Sequence, residues 1–286
     1  MPEKSGVLCK KLSCINSMIK FFSTSLDAVK KPFKHRNIII VTTFNDIKAR
    51  YAGSFLGSLW LFLAPVIFLS LYALIYIFIY RIKLKILSPC EYIFFIFSGL
   101  IPFLSFSEAI GRGTQAVTAN SNLVKNTLFP IELIPIQFTL CAQSLQFVGF
   151  ILLIVVSLIF NKLTVITVLF LPLLWILQIL FTIGVVWLLS ALNVFFRDIS
   201  NIISIMILML MMISPISYTE NMIPGALKLV LYINPLYYMI ILYQKIFIFG
   251  KLDVLFLIVF SIISLCFYFF GYYVFITLKD VFSDYV

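Results

Sequence analysis

Charge is what this sequence has least of. Only 11% of its 286 residues are Asp, Glu, Lys or Arg, while 63% are hydrophobic and the mean hydropathy is +1.13. Soluble domains carry about 25% charged residues. A water-facing surface cannot be covered at the density found here, so a soluble protein is excluded. Disorder beyond short segments is excluded as well, because it requires low hydrophobicity. Histidine occurs once, at His35, and the five cysteines (Cys9, Cys14, Cys90, Cys141, Cys266) are scattered without a C-x-x-C pair. That spacing supports neither a disulfide framework nor a zinc site, and no metal is expected. The catalytic signatures are missing too. There is no G-x-x-x-x-G-K-[ST], no H-E-x-x-H and no G-x-S-x-G. Gly111-Arg112-Gly113 lacks the third glycine and the preceding strand of a dinucleotide site. Carboxylates are nearly absent from the apolar runs. Glu108 is the only one well inside, with Arg112 four residues on as its helical partner. A proton or ion relay needs more than one such group. The expectation is a chain with no catalytic site and no cofactor of its own.

What is present is a series of long apolar runs. A bilayer core of about 30 Å needs about 20 apolar residues as helix. Six runs qualify: 59–80, 92–110, 133–160, 163–196, 199–219 and 254–278. The fourth is long for one span and short for two, so it is read as one helix beginning after Pro172. The run between Lys228 and Lys245 is interrupted by Asn234-Pro235. Its pieces, 224–233 and 235–249, are too short to span and read as two re-entrant half-helices dipping into the outer leaflet. A seventh span is the alternative. The expected fold is an all-α polytopic membrane protein with six transmembrane helices and two half-helices between spans five and six.

Six spans place both termini on one side. That side holds 14 of the 21 Lys and Arg residues, 10 of them within residues 1–58. The positive-inside rule makes it cytoplasmic, so the net charge of +10 is a topology signal and no nucleic acid is implied. No signal peptide is expected. Leu8, Leu12, Ile15, Ile19, Phe22, Leu26, Val29 and Phe33 alternate in steps of four and three. They form one apolar stripe with lysines off it, the pattern of a surface-lying amphipathic helix. A coiled-coil seam is the alternative. A second short stripe follows at Ile40, Phe44, Ile47 and Tyr51. The expected organisation is a cytoplasmic amphipathic region, 1–58, and a six-span domain, 59–286.

Five segments carry a family resemblance: RYAGSFLGSLW at 50–60, SGLIPF at 98–103, NLVKNTLFPIELIP at 122–135, ALNVFFRDI at 191–199 and SPISYTENMIPGALKLVLYINPLYY at 214–238. In this order the chain resembles the membrane subunit of type-2 ABC exporters that move lipid-linked polysaccharide such as O-antigen, capsule or teichoic acid. The resemblance covers about residues 36–280. It implies a homodimeric permease in the cytoplasmic (inner) membrane, docked on two copies of a separate cytoplasmic ATPase that binds ATP and Mg. Membrane lipids, lipid-linked polysaccharide and periplasmic export factors are the other implied partners. An interface helix would fall at 38–52 and a coupling helix at about 112–129. An efflux permease for a drug or small lipid is the alternative in the same superfamily. A membrane glycosyltransferase or acyltransferase would need acidic or His clusters that are missing.

The resemblance assigns candidate residues. Phe68, Tyr72, Tyr76 and Tyr80 make a stripe on the first span suited to stacking on sugar rings in a channel; the competing role is packing. Lys48, Arg50, Tyr51 and Trp60 mark a cytoplasmic entrance for a phosphate-bearing lipid carrier, against plain interfacial anchoring. Asn120, Asn122, Leu123, Val124, Lys125 and Asn126 occupy the ATPase-coupling position. Tyr218, Tyr232, Asn234, Pro235, Tyr237 and Tyr238 surround the half-helices as an outer gate, against an aromatic belt. Gly53 and Gly57 either allow close helix approach or bend the chain into the first span. Met206, Met209, Met211 and Met212 give the fifth span an adaptable face, and Asp198 is placed to cap it.

The missing P-loop yields a direct prediction. The purified chain hydrolyses ATP at background rate, and activity appears when its ATPase is added. Robust turnover by the chain alone, measured as phosphate release, would contradict this reading.

Overall fold

The computed structural model describes residues 26–50, 52–75, 88–126, 129–218 and 225–285, and every regular element among them is helical. The apolar stripe of residues 8–22 lies outside them. Its continuation forms α1, residues 26–34, followed by α2, Arg36–Arg50. A bend then leads through a 3-10 turn, Gly57–Leu59, into α3, Trp60–Leu74. Gly53 and Gly57 take left-handed φ of 78° and 51°, and a Cβ on either would meet nothing within 4 Å. Of the two roles considered for this pair, the bend is the one realised within the chain.

α4, Pro89–Gly113, begins three residues earlier than its apolar run. Ser88 and Glu91 form a reciprocal capping box with Pro89 at the first helical position. Two short helices follow, α5 (Ala116–Ala119) and α6 (Ser121–Asn126), and then α7, Leu133–Ile159. α8 runs Val165–Phe195, which corrects the expected start after Pro172. The Thr164 hydroxyl accepts from Thr167 N and opens the helix ahead of the proline. Pro172 therefore sits two turns in and removes only one helical donor. α9, Ile199–Ile213, stops short of the expected residue 219 because Ser214 precedes Pro215 and is extended, at φ −75° and ψ 139°. Its first turn gains no side-chain cap from Asp198, contrary to expectation. α10 (Gly225–Ile233) and α11 (Pro235–Gln244) flank the anticipated break at Asn234, and α11 continues as a π-helical turn, Lys245–Phe249. α12, Val254–Leu278, and the short α13, Phe282–Tyr285, complete the chain.

Four described helices are long and apolar enough to cross a membrane: α4, α7, α8 and α12 with its continuation. α3, α9 and α11 are shorter apolar helices. α4 is the most enclosed of the four, with 72% of its apolar window buried against 22% for α12. It packs on α7, α8, α9 and α11. The most extensive pairing is α8 with α12, set by two glycines that face each other. A Cβ on Gly184 would fall on the Phe267 carbonyl, and one on Gly271 on the Gly184 carbonyl. Small residues let membrane helices approach in this way. Trp187 lies against Tyr268 and Tyr272, at 5.2 and 5.0 Å between ring centroids, and extends the same seam.

The α8–α12 seam is therefore intolerant of volume. Gly271→Ala is expected to separate the helices and destabilise the protein by about 1–3 kcal/mol, read as a drop of several degrees in thermal unfolding in detergent. The control Gly225→Ala, where a Cβ would meet nothing, leaves the transition unmoved.

Candidate functional site

One end of the helical array gathers α1, α2, α5, α6, the turn before α7, the α8–α9 turn and α13. α6 is anchored by Val124, which is buried with Val117, Leu133, Trp187 and Phe282. That orientation leaves Asn122, Leu123 and Lys125 exposed. Asn120 closes α5 by donating its Nδ2 to the Ala116 carbonyl at 2.8 Å. Of the six candidate coupling residues, three thus face outward, Val124 faces the core and Asn120 holds the local backbone. The Asn126 side chain lies outside the described residues. Beside α6 is a cup of about 400 Å³ lined by Gln115, Thr118, Ser121, Asn193, Arg197 and Ser200. Asn193 is buried, donates to Thr118 Oγ1 at 3.4 Å and has no hydrogen bond at Oδ1. The cup joins the α5–α6 segment to the α8–α9 turn and is polar with one guanidinium. Sequence reading named the helix and missed Asn193 and Arg197 as its second wall, because nothing in the spacing brings residue 118 beside residue 193.

A buried carboxylate fastens the same end. Glu132 is 3% exposed and receives Lys31 Nζ at 2.8 Å, with Lys279 at 3.6 Å. Trp187 Nε1 donates to the Glu132 carbonyl at 2.9 Å, and Tyr268 OH to the Ala28 carbonyl at 2.8 Å. Residues from α1, the α7 start, α8 and the α12 end are thereby tied together. Burial opposes the charge on Glu132, but the Lys31 hydrogen bond and the Lys279 ammonium outweigh it and hold the carboxyl below its ordinary value. Burial likewise opposes the charge on Lys31, and Glu132 raises it above its usual value.

The entrance residues separate. Arg50, at the end of α2, pairs with Glu108 of α4, which Arg112 also reaches at 3.6 Å. Lys48 lies 5.9 Å over the Phe44 ring, and Trp60 is part-exposed at the start of α3. Tyr51 lies outside the described residues. In the proposed channel stripe, Phe68 is part-exposed. Tyr76, Tyr80 and the side chain of Tyr72 lie outside the description.

At the other end the helices are broken, and side chains fill in for helical donors. Asn234 Oδ1 accepts from Leu236 N at 3.0 Å, its Nδ2 donates to Ser214 Oγ at 3.1 Å, and Pro235 begins α11. Gln244 Nε2 donates to the carbonyls of Pro215 and Ile216, and Tyr92 OH to that of Ser217 at 2.6 Å. Tyr218 OH bonds the Ile213 carbonyl and Tyr238 OH the Tyr232 carbonyl. Tyr237 is fully buried, with ring contacts to Tyr232, Tyr238 and Phe256. Tyr232 is exposed. Deeper in, Gln178 Nε2 donates to Gln146 Oε1 and to the Pro102 carbonyl, and its Oε1 accepts from Gln146 and from Tyr243 OH at 2.8 Å. This cluster ties α4, α7, α8 and α11 near mid-length. Sequence reading passed over it, although glutamines inside apolar helices are a visible signal.

The Glu132 clamp predicts an acid transition. A carboxyl whose pKa is lowered on folding contributes stability above its unfolded value of about 4.3 and loses it as pH falls through the folded value. The melting temperature of wild type should fall steeply below about pH 4.3. Glu132→Gln, melting lower at pH 7, should show a shallower decline there. Parallel pH profiles would dismiss the clamp.

The comparisons with known proteins now bear on this geometry. The family model described as ABC-2 type transporter matches residues 38–248. The O-antigen export system permease protein RfbA of Klebsiella pneumoniae is 33% identical over 219 residues, covering 76% of this chain and 82% of that protein. A protein of the same name from Myxococcus xanthus is 29% identical over 221 residues, covering 77% and 83%. The matched span runs from α2 to the end of the π-helical turn after α11, and the resemblance carried by the five sequence segments is thereby confirmed. The chain belongs to the ABC-2 type transporter family.

Proposed function

We propose that this chain is the membrane-spanning subunit of an ATP-driven exporter of lipid-linked polysaccharide, O-antigen or a capsular polymer, in the cytoplasmic (inner) membrane. One observation carries the reading: relatives named O-antigen export permeases align with about three-quarters of the chain. The geometry supports it in three ways. The α5–α6 helices and the Asn193–Arg197 cup form a polar docking face for a separate ATPase, which would supply ATP and Mg chemistry. α9 has one buried residue, Ile203, and an exposed face with Ile202, Ile205, Met206, Met209 and Met212, suited to a partner copy in a homodimer. The broken α10–α11 segment has its backbone bonded inside the protein, as re-entrant structure requires.

In this reading α3, α4, α7, α8, α9 and α12 are the six spans, residues 1–58 form the cytoplasmic amphipathic region and both termini are cytoplasmic. Lys48, Tyr51 and Trp60 receive the lipid carrier, Arg50 being engaged by Glu108. Tyr72, Tyr76 and Tyr80 line the sugar path, Phe68 lying against the space between α3, α4 and α7 instead. Tyr232 and its neighbours on α10–α11 flank the outer exit, where periplasmic factors would act.

The test is export in cells that depend on this chain and its ATPase. Leu123→Asp and Arg197→Glu should insert normally yet lower surface polysaccharide on the order of tenfold, the scale of a lost coupling free energy, while lipid-linked chains accumulate inside. Tyr72→Leu with Tyr76→Leu should give the same phenotype with ATPase binding intact. Surface polysaccharide at the wild-type level in a strain lacking this chain would overturn the substrate assignment in favour of a drug or small lipid.

A further inference from the structure

A cavity of about 490 Å³ lies between α3, α4 and α7. Pro65, Phe68 and Leu69 of α3, Leu104 of α4, and Leu145 and Gly149 of α7 form its walls. At one end stands Glu108, bracketed by Arg50 and by Arg112 at 3.6 Å. Two guanidiniums converge on this one carboxylate, and Arg112, the more distant of the two, keeps donors for a second anion. Both are part-exposed, at 32% and 39% of their side chains. Arg112 is steadied by the Phe138 ring, 5.5 Å below it. Asp46, one turn before Arg50, accepts from Gln137 Nε2 at 2.6 Å and is directed to α7 by that bond. α3 itself rests on α7 and barely meets α4, so the cavity is the space that separates the two helices.

We infer that this cavity binds one anionic phospholipid of the leaflet on the α2 side, with an acyl chain between α3, α4 and α7 and its phosphate against Arg50 and Arg112. Apolar walls of this kind do not hold water, and hydrocarbon supplies the dispersion contacts they lack. The guanidiniums select the head group. A guanidinium carries five donors in a rigid fork, so the pair can hold Glu108 and a phosphate oxygen together. From Glu108 back to Ile101 is about 10 Å of helix, within the depth of one leaflet of a bilayer core about 30 Å thick. A free phosphate would use the arginines and leave the walls bare, and an uncharged hydrocarbon would use the walls and leave the arginines aside. The bound lipid would fasten the α2–α3 bend to α4. The inference requires only that these helices cross a membrane and is independent of what the protein exports.

The full-length chain, purified in detergent, is examined by native mass spectrometry and thermal unfolding with added phosphatidylglycerol, phosphatidylethanolamine or a polyprenyl phosphate. The expected result is one retained phosphatidylglycerol and a rise in melting temperature that phosphatidylethanolamine does not give. Leu104→Trp, which intrudes on the cavity from α4, weakens both effects. Arg112→Gln, at the part-exposed end, weakens phosphatidylglycerol binding about tenfold, the size of one lost charge-assisted hydrogen bond, and serves if the tryptophan variant fails to fold. Equal retention of both phospholipids, binding undisturbed by Arg112→Gln, or displacement of phosphatidylglycerol by equimolar polyprenyl phosphate would each overturn the assignment, the last by giving the site to the lipid carrier.

Discussion

A backbone carbonyl in hydrocarbon has no water to turn to, and each unmet group costs several kcal/mol. This chain nevertheless breaks its helices repeatedly, at Ser214-Pro215, at Asn234-Pro235 and through the π-helical turn after Gln244. The breaks are tolerated because side chains from other elements meet the freed carbonyls. Gln244 serves Pro215 and Ile216, Tyr92 serves Ser217, Tyr238 serves Tyr232 and Thr167 serves Ile246. The donors stand on α4, α8 and α11. The irregular backbone thus holds the bundle together there.

The same constraint explains why the tyrosines near the break have a double character. Tyr218 and Tyr238 direct their hydroxyls to backbone carbonyls, while Tyr237 is buried among rings. A phenol is amphipathic enough to serve in either setting. A tyrosine cluster in sequence therefore marks a boundary between regular and irregular backbone as readily as it marks a sugar path.

Most of the helical framework was legible in the sequence, because apolar run length is a one-dimensional property. α12 coincides with its run, and α4 and α7 agree within three residues. Asn234-Pro235 placed the break between α10 and α11, since a proline acts on its own neighbours. The errors were local competitions. Thr164 opens α8 ahead of Pro172, and Pro215 ends α9 through the conformation it imposes on Ser214. What could not be read was lateral pairing. Gly184 with Gly271, Lys31 with Glu132, and Asn193 with Thr118 join residues 75 to 101 positions apart, and no periodicity encodes such meetings. The α5–α6 segment was singled out by resemblance, but the second wall of its cup, at Arg197, belongs to a different loop.

The glycine seam has a mechanical consequence. With the Gly184 carbonyl filling the space where a Gly271 side chain would stand, α8 and α12 cannot slide past one another by a fraction of a turn without collision. They form a single stiff strut. At one end the strut carries Phe195 against Phe282 and Tyr285, beside α6. At the other, Thr164 closes on Gly250 after α11. The polar cup and the broken helices thus lie toward opposite ends of one tightly packed helix pair, while within the chain α3 and α9 pack on few neighbours.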